Sequence, residues 1–402
     1  MSLHCLLFFV PPLIRGARGD QKLSIINYPL IFWKQNAYGN EDVVQTRLWR
    51  EVVTTSGKGL LIALTVTIVG SAIALDYLVN PGNGMTLPLL ISILSSAGAG
   101  VIIIPILKRL KAGQFIREDG PQSHLKKAGT PTMGGIFFIP IALLIPLLWS
   151  QFHPEVIAVS LATLSYGLIG LVDDWQILVK KSNKGISPRV KLGLQILTAI
   201  AFCGWLAFHA SSDITQIPLP LGIMLPLGVL YWGLAVFVFA AESNATNLTD
   251  GVDGLAGGSC AIALLGLTAI LLPSHPELAL FCACFSGACV GFVFHNRNPA
   301  KVFMGDTGSL ALGGALAAVG ISTQQLFPLF VISGIFFAES LSVIAQVGYY
   351  KATKDENGVG KRLLKMAPLH HHLELSGWSE IQIVGAFYAI ALLLAILAFF
   401  SV

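Results

Sequence analysis

The chain has 402 residues, of which 54% are hydrophobic and only 11% charged, with a net charge of +4. Soluble domains carry charge on about a quarter of their residues, so a soluble fold is excluded. Nucleic-acid binding is excluded as well, because no basic run is interleaved with aromatic residues.

Residues 1–59 precede the first long apolar run. Within them, 4–14 is apolar and is followed by Arg15 and Arg18, the reverse of a secretory signal's charge order. It lies along a membrane surface or is an extension of little consequence. Eleven apolar runs follow, at roughly 60–79, 87–107, 133–149, 157–172, 191–209, 223–241, 254–272, 278–295, 308–322, 327–348 and 381–401. Several are short for a ~30 Å hydrocarbon layer, which predicts tilt or half-buried ends, and 308–322 is the weakest of them. The expected fold is all-α, a polytopic integral membrane protein of about 11 transmembrane helices.

Charge placement sets the orientation. Seven Lys and Arg precede the first run, six lie at 108–127, five at 180–191, two are Arg297 and Lys301, and five lie at 351–365, which accounts for all 25. These are alternate gaps, so by the positive-inside rule they are cytoplasmic, with the N-terminus inside and the C-terminus outside. The opposite gaps are short and rich in Pro, as in Pro218-Leu219-Pro220 and Pro273-Ser274-His275-Pro276, and offer little to bind a ligand. No long period repeats, which excludes a solenoid. Five of the six cysteines lie within apolar runs without metal spacing and read as small buried hydrophobes. Gly98, Gly100, Gly313 and Gly314 read as points of close helix packing.

Residues with chemical potential gather in the positive gaps. Ser123 to Gly135 carries Lys126 and Lys127, which either only set topology or join Lys180, Lys181, Lys184 and Lys191 in a cationic rim suited to a polyanion. Asp173-Asp174 closes the fourth run; two carboxylates against the negative end of a helix dipole suit cation binding or proton abstraction better than a solvated helix end. Neighbouring helical residues point about 100° apart, so one acid faces a ligand while the other braces the site.

The segment Asn244-Ala245-Thr246-Asn247-Leu248-Thr249-Asp250-Gly251-Val252-Asp253-Gly254 opens the next helix. Asp250 and Asp253, three apart, would share a helix face. Thr249 or Asp250 would serve as a cap, but capping leaves the other acids and amides unexplained. Free amides there suit a nucleotide or phosphate. Both Asn-x-Thr triplets lie on the wrong side for glycosylation, and an EF-hand fails because Ala261 stands where Glu is needed.

His295-Asn296-Arg297-Asn298 leads into Phe303-Met304-Gly305-Asp306-Thr307, where Asp306 would cap the next helix and Phe303 is a lipid anchor or a stacking platform for a base. A hard cation such as Mg2+ fits these oxygens. Glu339 is the one acid well inside an apolar run, either functional or satisfied by a helix-to-helix hydrogen bond. His370-His371-His372 cannot all reach one zinc ion, and hydrogen bonding to phosphate or sugar oxygens suits them better, against chance clustering in a loop.

Together these segments, from about Gly113 to Trp378, resemble the phospho-N-acetylmuramoyl-pentapeptide transferases. The Asp-Asp, Asn-Leu-Thr-Asp-Gly and Gly-Asp elements are shared with a wider superfamily of polyprenyl-phosphate N-acetylhexosamine-1-phosphate transferases, whereas Met366 to Glu374 resembles the muramoyl-pentapeptide branch. The resemblance implies transfer of phospho-N-acetylmuramoyl-pentapeptide from UDP-N-acetylmuramoyl-pentapeptide to undecaprenyl phosphate in the lipid bilayer, with Mg2+, giving lipid I and UMP. It implies that Asp306 is the metal ligand, Asp173 the base toward the lipid phosphate and Asp174 its support. Asn247, Asp250 and Asp253 resemble nucleotide-site residues, Phe303 the uracil-stacking ring, and Lys127, Thr132 and Asn296 further contacts on that half. His370, His371 and His372 resemble the substrate-proximal histidines, with His371 grouped among the catalytic set. It also implies a multi-pass protein of a bacterial-type inner membrane with a cytoplasmic active site, in a family that is often dimeric.

The family core has ten spans, so 60–79 reads as an additional N-terminal transmembrane helix, 1–59 as a cytoplasmic extension and 80–402 as the transferase domain. The family often shows Tyr and Lys after the Asp pair, where this chain has Trp175 and Ile177. One alternative is a transferase using UDP-N-acetylglucosamine. A transporter fits poorly, since its polar residues would gather at midplane rather than at one edge.

Overall fold

A computed structural model of the chain describes residues 56–79, 84–110, 127, 129–180 and 185–402. Residues 1–55 of the expected extension, and Lys126, Lys181 and Lys184 of the expected rim, lie outside the described residues.

The helices are α1 (Gly57–Leu78), α2 (Thr86–Arg109), α3 (Gly135–Trp149), α4 (Pro154–Lys180), α5 (Pro188–His209), α6 (Leu230–Thr249), α7 (Leu255–Leu271), α8 (Pro276–Asn296), α9 (Gly305–Ser322), α10 (Leu326–Ile332), α11 (Gly334–Ala352), α12 (Leu369–Leu375) and α13 (Glu380–Phe399). Strands β1 (Gln216–Leu219) and β2 (Ile223–Pro226) form an antiparallel hairpin between α5 and α6, with Gln216 opposite Pro226. Each apolar run contains a helix, and the tenth is broken: α10 and α11 meet at Ser333 with a bend of 70°.

Among the described residues, α1, α2, α4, α5, α8 and α13 are each long and apolar enough to cross a membrane, and the bent pair adds a seventh span. The remaining runs are shorter or more polar for a physical reason. Nearly every residue of α7 and α9 is buried, so these helices meet protein rather than lipid. Helix α9 lies against α4 and α6, α8 against α2, α3 and α7, and α13 against α7. The outward faces of α1, α2 and α5 expose large apolar side chains such as Ile62, Val66, Leu94, Val101 and Leu197, a belt that water would not tolerate and lipid does.

Three local expectations are corrected. Helix α4 does not stop at its acid pair but continues to Lys180, roughly two turns further. Hydropathy ends at Val172 because two acids interrupt it, whereas the backbone continues because both acids turn inward and are buried. Asp250 and Asp253 share no helix face, for they lie in the turn between α6 and α7, where Gly254 takes a φ of +86° and no side chain caps α7. The run 223–241 begins as β2 and a turn, and becomes helix only at Leu230.

Candidate active site

At one end of the bundle, the late part of α4, the start of α5, the end of α6, the α6–α7 turn and the start of α9 converge. Asp306 is the second residue of α9 and caps nothing itself; that expectation fails because the cap is supplied from α4. Asp174 Oδ1 accepts from the Asp306 amide at 3.1 Å, and its Oδ2 accepts from the Thr307 amide at 2.9 Å and the Thr307 hydroxyl at 2.6 Å. Amides at a helix start have no partner in their own helix, so a carboxylate from another helix both satisfies them and fixes where the helix begins. Gly305 permits this approach: its φ is +73°, and a side chain there would run into the Asp174 carboxylate.

With Asp174 committed to bracing, Asp173 and Asp306 are left facing Lys191. Asp306 accepts a hydrogen bond from Lys191 Nζ and another from Asn247 Nδ2 at 2.8 Å. Asp173 accepts from the Ile186 amide at 2.8 Å, and its other oxygen lies 3.9 Å from Lys191 Nζ. Lys191, read from the sequence only as rim, therefore stands inside the acid cluster. Its signal was a base, two residues after Arg189, at the start of an otherwise apolar helix that opens with Ser187-Pro188.

Asp250 joins the same cluster through charge. Burial first, and then the negative charges of Asp306 and Asp174, push its carboxyl up to about 7 despite a hydrogen bond from the Gly305 backbone. Three acids around Lys191, with Asp250 beside two of them, leave excess negative charge, and the donors are hard oxygens. Among the described residues no three metal-binding side chains stand close enough to hold an ion alone. The residues fit Mg2+ in the way that suits this ion, with one or two carboxylates from the protein and the remaining positions filled by phosphate oxygens and water. Asp306 would hold it.

A second network adjoins the turn. Lys127 Nζ lies 2.8 Å from both Asp253 Oδ1 and Glu380 Oε2. Burial disfavours its charge, but these two carboxylates more than offset that and hold the amine above its usual range. Asp253 also accepts from the Ala300 amide at 2.9 Å, and Asn298 reaches Asp253 and Glu380. Asn296 is buried with both ends of its amide used, accepting from Gly254 N–H and donating to the Val302 carbonyl. It ties the α6–α7 turn to the α8–α9 loop. Thr132 and Phe303 are partly exposed on that loop's edge, where Phe303 N–H donates to the Pro131 carbonyl. The first turn of α1 reaches this network too, since Gly57 is buried against the Asn298 carbonyl with no room for a side chain.

The histidines occupy α12. His370 is fully buried beside Glu339 and packs on Gly251, next to Asp250. His371 Nδ1 lies 2.7 Å from Glu374 Oε2, and His372 Nδ1 accepts from the Lys365 amide at 3.2 Å. Asp173, Asp174, Asn247, Asp250 and Asp306 meet in the acid cluster, Lys127, Asp253 and Asn296 lie in the adjoining network, and His370 packs on Gly251, while Thr132 and Phe303 lie beside the start of α9 and His371 and His372 on α12. Lys191, Thr307, Asn298, Glu374 and Glu380 were not singled out as site residues by the sequence, because each depends on a partner distant in the chain or is an ordinary helix residue by itself.

Residues 156–324 match the family described as Glycosyl transferase family 4, and residues 127–139 match phospho-N-acetylmuramoyl-pentapeptide-transferase signature 1. The chain is 63% identical over 347 residues to the phospho-N-acetylmuramoyl-pentapeptide-transferase of Trichormus variabilis, covering 85% of this chain and 95% of that one. It is 60% identical over 364 residues to the protein of the same name from Gloeothece citriformis, covering 89% of this chain and all of the relative. The like-named protein of Microcystis aeruginosa is 62% identical over 346 residues, with 86% and 96% covered.

Proposed function

The chain belongs to the phospho-N-acetylmuramoyl-pentapeptide transferase family, and from that premise we propose that it transfers phospho-N-acetylmuramoyl-pentapeptide from UDP-N-acetylmuramoyl-pentapeptide to undecaprenyl phosphate, releasing UMP and forming lipid I. It is a transferase and a multi-pass membrane protein. The observation that carries the reading is the convergence of Asp173, Asp306, Asn247 and Lys191 in one cluster, held in place by Asp174.

An oxygen of the lipid phosphate attacks the phosphorus that bears the sugar, a new P–O–P link forms, and the old pyrophosphate bond breaks with its electron pair leaving on UMP. Little covalent work falls to the protein, and positioning with charge neutralisation supplies most of the barrier reduction. Asp173 takes any proton remaining on the attacking phosphate. Lys191 moves from its carboxylates toward the incoming diphosphate and offsets its charge. Mg2+, when bound at Asp306, supplies further neutralisation of the diphosphate. Asn247, Asp250, Asp253, Lys127, Thr132, Asn296 and Phe303 hold or frame the nucleotide half, with Phe303 as the stacking ring. His371 and His372 stand at the substrate edge, with His370 behind them.

The acid cluster faces the cytoplasmic side of a bacterial-type inner membrane, a reading supported by Arg297, Lys301 and the 351–365 bases, which lie in the gaps at that end. The transferase core takes in α1 as well as residues 80–402, a reading supported by the match to the whole of the Gloeothece citriformis protein across 89% of this chain, with the residues before α1 as an extension and a homodimer as the assembly that the family resemblance implies. Incubation with UDP-N-acetylmuramoyl-pentapeptide, polyprenyl phosphate and Mg2+ should release UMP in equal amount to lipid-linked product. Product from UDP-N-acetylglucosamine alone would move the chain to another branch. UMP exchange into the donor without lipid would replace direct attack by a covalent intermediate.

A further inference from the structure

Two buried groups have no part in the chemistry just described: Glu339, in the second turn of α11, and His370, the first histidine of the triplet. Neither exposes any surface to solvent. Glu339 accepts from the His370 backbone N–H, at 3.2 Å to Oε1 and 3.5 Å to Oε2. The imidazole lies across the same carboxylate, with Nδ1 at 3.2 Å from Oε2 but off the line that a hydrogen bond needs. Its other nitrogen, Nε2, has no hydrogen-bond partner and points at Gly251, where a β-carbon would collide with it. Gly251 follows Asp250 directly and lies in the turn that carries the nucleotide-side acids.

The three parts come from separate stretches. Glu339 follows the break at Ser333, where only Ile335, Phe336 and Glu339 of α11 are buried. The rest of α11 leaves the bundle, so Glu339 is the last point at which this helix is held in the core. His370 belongs to a seven-residue helix that has little hydrophobic grip of its own, being the one buried residue of α12. A buried acid is costly unless it is paired, and the partner of Glu339 is the residue that anchors the histidine helix.

We propose that Glu339 is a positioning residue for the transfer reaction: by holding the His370 backbone and ring against Gly251, it sets the α12 histidines and the Asp250 turn in register with each other. His370 then acts as a wedge beneath the active site rather than as a group that touches substrate, while His371 and His372 face outward from the same helix. The inference rests on the transferase reading. It assigns Glu339 and Gly251 to one unit with His370, so damage to any of the three should have the same kinetic signature.

The test uses the full chain in detergent or nanodiscs, with UDP-N-acetylmuramoyl-pentapeptide, polyprenyl phosphate and Mg2+, and measures kcat, donor KM and, separately, UMP binding by calorimetry. Glu339→Gln should lower kcat by about tenfold or more, since displacement of a catalytic group by about 1 Å costs up to about a hundredfold. UMP binding should stay within about threefold of wild type. The double variant Glu339→Gln, His370→Gln should be no slower than the worse single variant, as expected of residues that act as a unit. A kcat for Glu339→Gln within twofold of wild type would overturn the proposal, as would a double variant whose loss equals the product of the single losses. Should Glu339→Gln not fold, Gly251→Ala and His370→Gln carry the same comparison, with non-additive loss expected and multiplicative loss contradicting it. A wild-type protein that makes no lipid-linked product contradicts the functional reading, whereas an active wild type with an unimpaired Glu339→Gln contradicts this inference alone.

Discussion

Thr307 shows how one hydroxyl supports a reaction it does not enter. Its 2.6 Å bond is the shortest that Asp174 accepts, and Asp174 sets the position of Asp306 through the start of α9. Thr307→Val keeps the shape and both backbone bonds but removes that donor, leaving one buried carboxylate oxygen less satisfied. A loss of about 1–3 kcal/mol in stability is expected, read as a lower Tm, together with a fall in kcat and a nearly unchanged donor KM. Asp250 yields a pH prediction. Its carboxyl is pushed up to about 7 in the folded protein, against about 3.9 for a free Asp. The folded state therefore binds more protons than the unfolded one between about pH 4 and 7, so stability must fall as pH rises through that window and level off above it. The Tm of metal-free protein in detergent should decline from pH 5 to 7, and Asp250→Asn should flatten the slope. An equally steep decline in the variant would assign the effect to another group.

Among the elements, α1 connects the membrane fold to the site. Its first residue, Gly57, presses on the Asn298 carbonyl, and Asn298 reaches Asp253 and Glu380, which hold Lys127. Gly57→Leu has no space for its side chain and should displace the first turn of α1 or the Asn298 loop. Donor KM should rise about threefold or more with kcat little changed, and an unchanged KM would detach α1 from the site. The sequence shows the helices well because lipid demands long apolar runs, so even the broken tenth span is legible as one run. It shows less of how they end. The acid pair in α4 reads as a helix terminus because hydropathy cannot distinguish a carboxylate facing water from one facing α9. Asp306 reads as a cap because its own cap, Asp174, lies on another helix. Lys191 reads as rim because nothing local reveals that α5 starts beside Asp173. Residue types were legible, whereas pairings between helices follow from packing that no local window contains.

For the whole molecule, the distribution of Lys and Arg makes a prediction about sidedness. The five described native cysteines are buried and should be silent to a membrane-impermeant maleimide, and Cys5 can be replaced by Ser. On that background, Leu221→Cys at the tip of the β1–β2 hairpin, 97% exposed, should label from outside intact cells. Lys354→Cys, in the exposed α11–α12 loop, should label only after the membrane is opened. Labelling of both from outside would contradict the orientation. The burial pattern agrees with a lipid-embedded bundle, with α7, α8 and α9 enclosed and the apolar faces of α1, α2 and α5 turned outward.

The most direct measurement is transfer of radiolabel from UDP-N-acetylmuramoyl-pentapeptide into butanol-soluble lipid, with purified wild type, Asp306→Asn, Lys191→Ala and His153→Ala compared at saturating Mg2+. Wild type and His153→Ala, altered in an exterior gap, should label the lipid at similar rates. Asp306→Asn should fall to background, and Lys191→Ala should lose at least about a hundredfold, as removal of a charge-stabilising group does. Normal labelling by Asp306→Asn would mean that the acid cluster around Lys191 is not where the phosphate is transferred.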